Sequence, residues 1–132
     1  MRRALLAALV VPLAGCAAQP AASGKFKGQA QQVAQVVADL SSAGRSGNAQ
    51  KICTDILAKE LVQQLRAAGG DCETEMQAAI QDATDYDLQV ADVTVTGNRA
   101  TARVRQGAHG KIATFTFVKE NGGWRAMSLG GG

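Results

Sequence analysis

Three cysteines, one histidine and one tryptophan are the scarce reactive groups of this 132-residue chain. A cysteine sulfur can be a nucleophile, a metal ligand or half of a disulfide, and spacing and redox compartment decide which. Cys53 and Cys72 have no Cys-x-x-Cys spacing and no thioredoxin-like order of elements around them, so a redox-active pair has little support. Together with His109 they still fall short of the four ligands that a structural zinc site takes. His109 sits in Gln106-Gly107-Ala108-His109-Gly110, the composition of a turn tip. General-base work there would need an orienting carboxylate and a cleft, and the sequence shows neither. Asp85, Tyr86 and Asp87 form the one cluster of acids and a phenol, at a junction where Asp87 should point away from Tyr86 on a regular strand. Arg99, Arg103 and Arg105 alternate along one segment and are the candidate docking face for an acidic partner or lipid headgroups, with Lys111 or Lys119 beside them. No glycine-rich phosphate loop is present, and no cofactor is expected.

Cys16 belongs to a different context. Arg2 and Arg3 precede an apolar run from Ala4 to Ala14, broken by Pro12, and then Leu13-Ala14-Gly15-Cys16. Charge, apolar stretch and small residues follow the order of a secretory signal. The run is about 11 residues, against roughly 20 for a membrane-spanning helix. Its last four residues resemble the bacterial lipobox, in which the cysteine thiol is alkylated by diacylglycerol and the chain is then cut on its N-terminal side. That resemblance implies cleavage between Gly15 and Cys16 and attachment to membrane lipid through the acylated Cys16. Two or three acyl chains, at about 0.8 kcal/mol per buried methylene, hold lastingly where one does not. Ordinary signal cleavage near Ala18 is the competing reading. Residues 1–15 are thus expected to be the signal, and 16–28, rich in Ala with Pro20, Ser23 and Gly24, a lipidated tether. About 12 flexible residues reach about 20 Å.

With Cys16 lipidated, an even number of cysteines remains in an oxidising compartment, and a Cys53–Cys72 disulfide is expected. The composition is compatible with one small domain, being 46% hydrophobic and only 4% aromatic. Of 14 basic residues Arg2 and Arg3 leave with the signal, so 12 stand against 11 acidic ones. A balance of about +1 and few aromatics argue against nucleic-acid binding.

The elements that must position these groups follow from hydrophobic period. Val33, Val36, Val37 and Leu40 fall on one helical face between Gln29 and Ser42. Gly44 to Asn48 breaks that helix, and Asn48 is the expected N-cap of the next. Ala49 to Ala68 reads as one helix, kinked near Leu57, with Ile52, Cys53, Ile56, Leu57, Leu61 and Leu65 on one side and Gly69-Gly70 as its stop. A third helix from Asp71 to Ala83 carries acids in its first turn, where the helix dipole favours them, and is expected to bury Met76, Ala79 and Ile80. After Asp85 the period changes to two. Tyr86, Leu88 and Val90 alternate, and Val93 and Val95 stay in register only with a bulge near Ala91-Asp92. Ala100, Ala102 and Val104, then Phe115 and Phe117, then Trp124 to Leu129 complete four hairpin-linked strands. The expected class is α+β, with N-terminal helices packed on a four-stranded antiparallel sheet.

Helices first, a Gly-Asn break, and a meander ending in Gly122-Gly123-Trp124-Arg125 before a short apolar strand resemble the NTF2-like (cystatin-like, SnoaL-like) superfamily, over residues 29–130. The chain is similar to small secreted bacterial lipoproteins of that type, which share a helical cysteine pair. The resemblance implies a cone in which a curved sheet wraps around the helices, sometimes around a pocket. Enzymes of the superfamily, of the ketosteroid-isomerase-like and cyclase-like kinds, place Asp, His and Tyr inside the cone, whereas the inward positions here are Val, Leu, Ala, Phe and Met. The expected function is therefore a membrane-anchored, extracytoplasmic, non-catalytic binding or accessory module of the cell envelope, engaging an envelope protein. The alternatives are a carrier of a small apolar ligand in the cone and an isomerase- or cyclase-like enzyme.

Overall fold

The computed structural model describes residues 26–83 and 86–130. Gly15, Cys16, the tether up to residue 25 and Asp85 lie outside the described residues.

Helix α1 spans Gln29–Arg45, α2 spans Ala49–Lys51 and runs on as a π-helical turn over Ile52–Ile56, α3 spans Lys59–Ala67 and α4 spans Cys72–Asp82. Strands β1 (Leu88–Thr96), β2 (Arg99–Gln106), β3 (Ile112–Glu120) and β4 (Gly123–Leu129) follow. They pair antiparallel in the order β1-β2-β3-β4, so the class is α+β with the helices ahead of a meander.

Helix α1 runs one turn further than its apolar stripe suggests. It ends in a Schellman motif: Gly47 N–H donates to Gly44 O and Asn48 N–H to Ala43 O, at 3.2 and 2.9 Å. Gly47 supplies the left-handed residue this needs, at φ 67°. The motif delivers Asn48 to the start of α2, where its side chain accepts from Lys51 N–H at 3.0 Å, the expected cap.

Ala49 to Ala68 does not form one kinked helix. Leu57 N–H bonds back to Ile52 O, the wide turn of a π-helix, and Leu57 and Ala58 then become extended, each with ψ 145°. Ala58 N–H donates to Ala126 O at 2.9 Å, and Leu57 bridges Ala126 in parallel. The free edge of β4 competes for backbone groups that a helix would have used. It wins because pairing there also buries both residues to 2% exposure or less.

The bulge between Val90 and Asp92 is present and returns Val93 and Val95 to the inner face. A second register shift on β4, opposite Thr116/Phe117, leaves Met127 without a partner in the ladder. It acts in the same way, keeping Trp124, Ala126 and Leu129 inward although 126 and 129 are out of phase. The core lies between α1, the π-turn and the inner sheet face. Phe115, Phe117, Leu57, Val33, Val37 and Val104 are its largest fully buried side chains, each contributing about 1.5–3 kcal/mol.

Helices α3 and α4 are held far more lightly. Helix α3 has no buried residue and α4 only Cys72. Leu61, Leu65, Met76 and Ile80 are half-buried, and Ala79, expected inside, is exposed. The reason is the break at Leu57: it swings α3 off the axis that would have carried its apolar side over the sheet. Asp71 nevertheless caps α4, accepting from Thr74 N–H at 3.1 Å, with Glu73 and Glu75 in the first turn. Cys53 Sγ and Cys72 Sγ stand 2.03 Å apart, a disulfide joining the π-turn to the first residue of α4.

Candidate functional site

Helix α4 buries only its first residue, Cys72. A cleft of about 220 Å³ lies between α1, α4 and the sheet end formed by Leu88, Gln106, Phe115 and Leu129. Leu40, Ile52, Met76 and Ile80 make most of the remaining wall. A cavity of about 150 Å³ with such a lining takes benzene, so this one has room for a somewhat larger apolar group.

The two hydroxyls on the wall, those of Ser41 and Tyr86, are engaged elsewhere. Ser41, buried on α1, donates its hydroxyl to Tyr86 O and accepts from Leu88 N–H and from the Arg45 guanidinium, both at 3.3 Å. The Tyr86 hydroxyl donates to Ile80 O, near the C-terminal end of α4. Arg45 also meets Asp87 at 3.1 Å in an exposed ion pair. A Cβ on Gly44 would lie 3.1 Å from Tyr86 Cδ1, so the absent side chain lets the phenol ring lie close to α1. Together Ser41, Gly44 and Tyr86 form a clasp between α1, the end of α4 and the start of β1, and this clasp is the back of the cleft. Acid–base chemistry inside would need two polar groups aimed at one point. The hydroxyls here face backbone carbonyls instead. The arrangement can hold an apolar group and has no catalytic pair pointed at it among the described residues.

Sequence reasoning identified Tyr86 and Asp87 as a cluster and set them opposite one another. Tyr86 does line the cleft, while Asp87 is exposed toward Arg45. It missed Ser41 and Gly44. The available signal was helical spacing: both follow Val33, Val37 and Leu40 along the buried stripe, where a small polar residue and a glycine are out of character. His109 is exposed at the β2–β3 turn, away from the cleft wall. Among the described residues no cluster of three His, Cys, Asp or Glu could hold a metal, and no helix is long and apolar enough to cross a membrane.

Arg99, Arg103 and Arg105 are exposed on the sheet face opposite the helices, as alternation requires. Arg103 Nη1 is 2.8 Å from Asp92 Oδ2, its direct cross-strand partner. Lys119 is not beside them. It is in phase with Phe115 and Phe117, on the helix-facing side, where its Nζ donates to Gln29 Oε1 and stands 5.8 Å from the Trp124 ring centroid. The fourth arginine of the outer face is Arg125, opposite Val118, which donates to Thr54 O at 2.8 Å.

A second hollow, of about 230 Å³, lies between the π-turn, α3 and the β3–β4 turn. Its one carboxylate, Glu120, accepts from Lys59 N–H at 2.9 and 3.3 Å. Helix α3 has no cap from its own N-cap residue, Ala58, and Glu120 supplies one from the end of β3. The carboxylate of that hollow is thus taken up by a structural contact. No family model, curated protein or solved structure matches this chain.

Proposed function

We propose that the chain is the globular part of a lipoprotein on the extracytoplasmic face of a bacterial membrane, NTF2-like in fold, acting as a binding module that holds a small apolar group in the α1–α4 cleft. The observation that carries the reading is the cleft itself: an open, mainly apolar hollow whose two hydroxyls are already hydrogen-bonded. A solid core would have favoured a purely structural module. Arginine, apolar run and Leu13-Ala14-Gly15-Cys16 support the anchor. The cysteine pair, bonded as an oxidising compartment allows, is consistent with export.

Native mass spectrometry of the protein purified from its own host tests the binding role. The expected result is the polypeptide mass plus a low-polarity adduct that is lost when Ile80→Trp fills the cleft; a bare mass in every preparation overturns it. Cys16→Ala tests the anchor separately. The variant should leave the membrane fraction, and if it stays there the lipid attachment is refuted.

A further inference from the structure

The outer face of the sheet has no described element packed on it, although it spans four strands. Two kinds of side chain recur on it. Hydroxyls from Thr94, Thr96, Thr101, Thr114, Thr116 and Ser128 form rows across it, and four arginines, at 99, 103, 105 and 125, stand among them. Asp92 pairs with Arg103, and Glu120 accepts from a backbone N–H, so four arginines against two carboxylates leave the face net positive. The only large hydrophobic side chain exposed among the described residues, Ile112, lies on this same face, opposite Arg105.

The position of the chain's N-terminal part adds a second constraint. Lys119 Nζ bonds to Gln29 Oε1 and Lys119 N–H to Asn98 O, which places the start of α1 at the sheet end that carries the Gly97-Asn98 and Asn121-Gly122 turns. Arg99 and Arg125 flank Val118 at that end. The described chain begins at Phe26, only ten residues after Cys16. A segment of ten residues spans at most about 33–36 Å, which bounds the distance between the domain and the anchor point.

We propose that this outer sheet face docks on the anionic lipid surface in which the chain's own anchor sits, with Arg99 and Arg105 against phosphate headgroups and the threonine rows hydrogen-bonding among them. The orientation rests on the lipoprotein reading above, but the affinity of the face for anionic lipid does not. The helices lie on the opposite side of the sheet, so docking turns the α1–α4 cleft away from the bilayer and toward whatever delivers or receives its ligand.

The test uses the mature chain, residues 16–132, with Cys16→Ser, so that no binding can come through an acyl chain. It is sedimented with phosphatidylcholine vesicles with and without phosphatidylglycerol. Binding is expected only to the anionic vesicles and should fall with added salt as surface attraction is screened. Arg99→Gln combined with Arg105→Gln should weaken it about 25-fold, at about fivefold per arginine brought to the surface. Asp92→Asn, which releases Arg103, should strengthen it. Circular dichroism confirms that each variant is folded. Equal binding to neutral vesicles, indifference to the arginine and aspartate changes, or binding only to a soluble glycerol-phosphate polymer would each overturn the proposal. Failure of fatty-acid labelling at Cys16 would instead overturn the lipoprotein reading and leave the vesicle result standing.

Discussion

The half of the molecule made by α1 and the sheet and the half made by α3 and α4 are built on different principles. In the first, apolar residues from every strand and from α1 converge, and Phe115 and Phe117 are at most 2% exposed. In the second, no residue of α3 is buried, and the half-buried Leu61, Leu65, Met76 and Ile80 are supplemented by point contacts: the Cys53–Cys72 bond, the Leu57–Ala126 bridge, the Glu120 cap and the Tyr86 contact with Ile80 O. Burial is cooperative, because each side chain depends on many neighbours. Point contacts can open one at a time. The cleft lies along the seam between the halves, where a lightly held helix can yield to a ligand without disturbing the core.

Removing part of the packed half should have the largest effect. Phe115→Ala removes a fully buried ring from the inner sheet face and is expected to cost about 3–5 kcal/mol, seen as a fall in the denaturation midpoint with sheet and helix signals lost together. Should α3 and α4 stay folded while the sheet melts, the division drawn above would be reversed. Replacing Cys53 and Cys72 by serine comes next, at about 3 kcal/mol for a sequence separation of 19 residues. Hydrogen exchange should show α4 amides losing protection first, with β2 and β3 little changed. Uniform loss across the chain would mean that the two halves form a single unit. Glu120→Ala should be the mildest, about 1 kcal/mol, confined to the first turn of α3 and readable at the Lys59 amide. An unaltered amide there would show that the cap contributes nothing.

The contrast also explains what could be read in the chain. Where one face is buried, period and burial coincide, and the strands, the Ala91 bulge, the alternation of Arg99, Arg103 and Arg105 and the α1 stripe were all legible. Asn48 and Asp71 were legible for a local reason, since a capping side chain meets backbone only three residues on. The break at Leu57-Ala58 was not. Its local sequence, Ile-Leu-Ala-Lys-Glu, suits a helix, and the competing partner lies nearly 70 residues away on β4. Lys119 was misplaced for a simpler reason: adjacency in charge was taken for adjacency in space, while its strand phase puts it on the inner face. Ser41 and Gly44 had a visible anomaly of type on an apolar stripe, but their partner Tyr86 is fixed only by the long-range packing of α1 on β1.

Residue order alone therefore determined most of the local choices: the strands and the course of α1, which side chains share a face, and the caps at Asn48 and Asp71. Those choices depend on contacts within a few residues, whose energies the sequence states directly. Only the tertiary structure decided that β4 takes backbone away from a helix, that Glu120 caps α3, and that a clasp of Ser41, Gly44 and Tyr86 backs an open cleft. Each of those unites segments far apart in the chain, and their meeting depends on how the whole core closes.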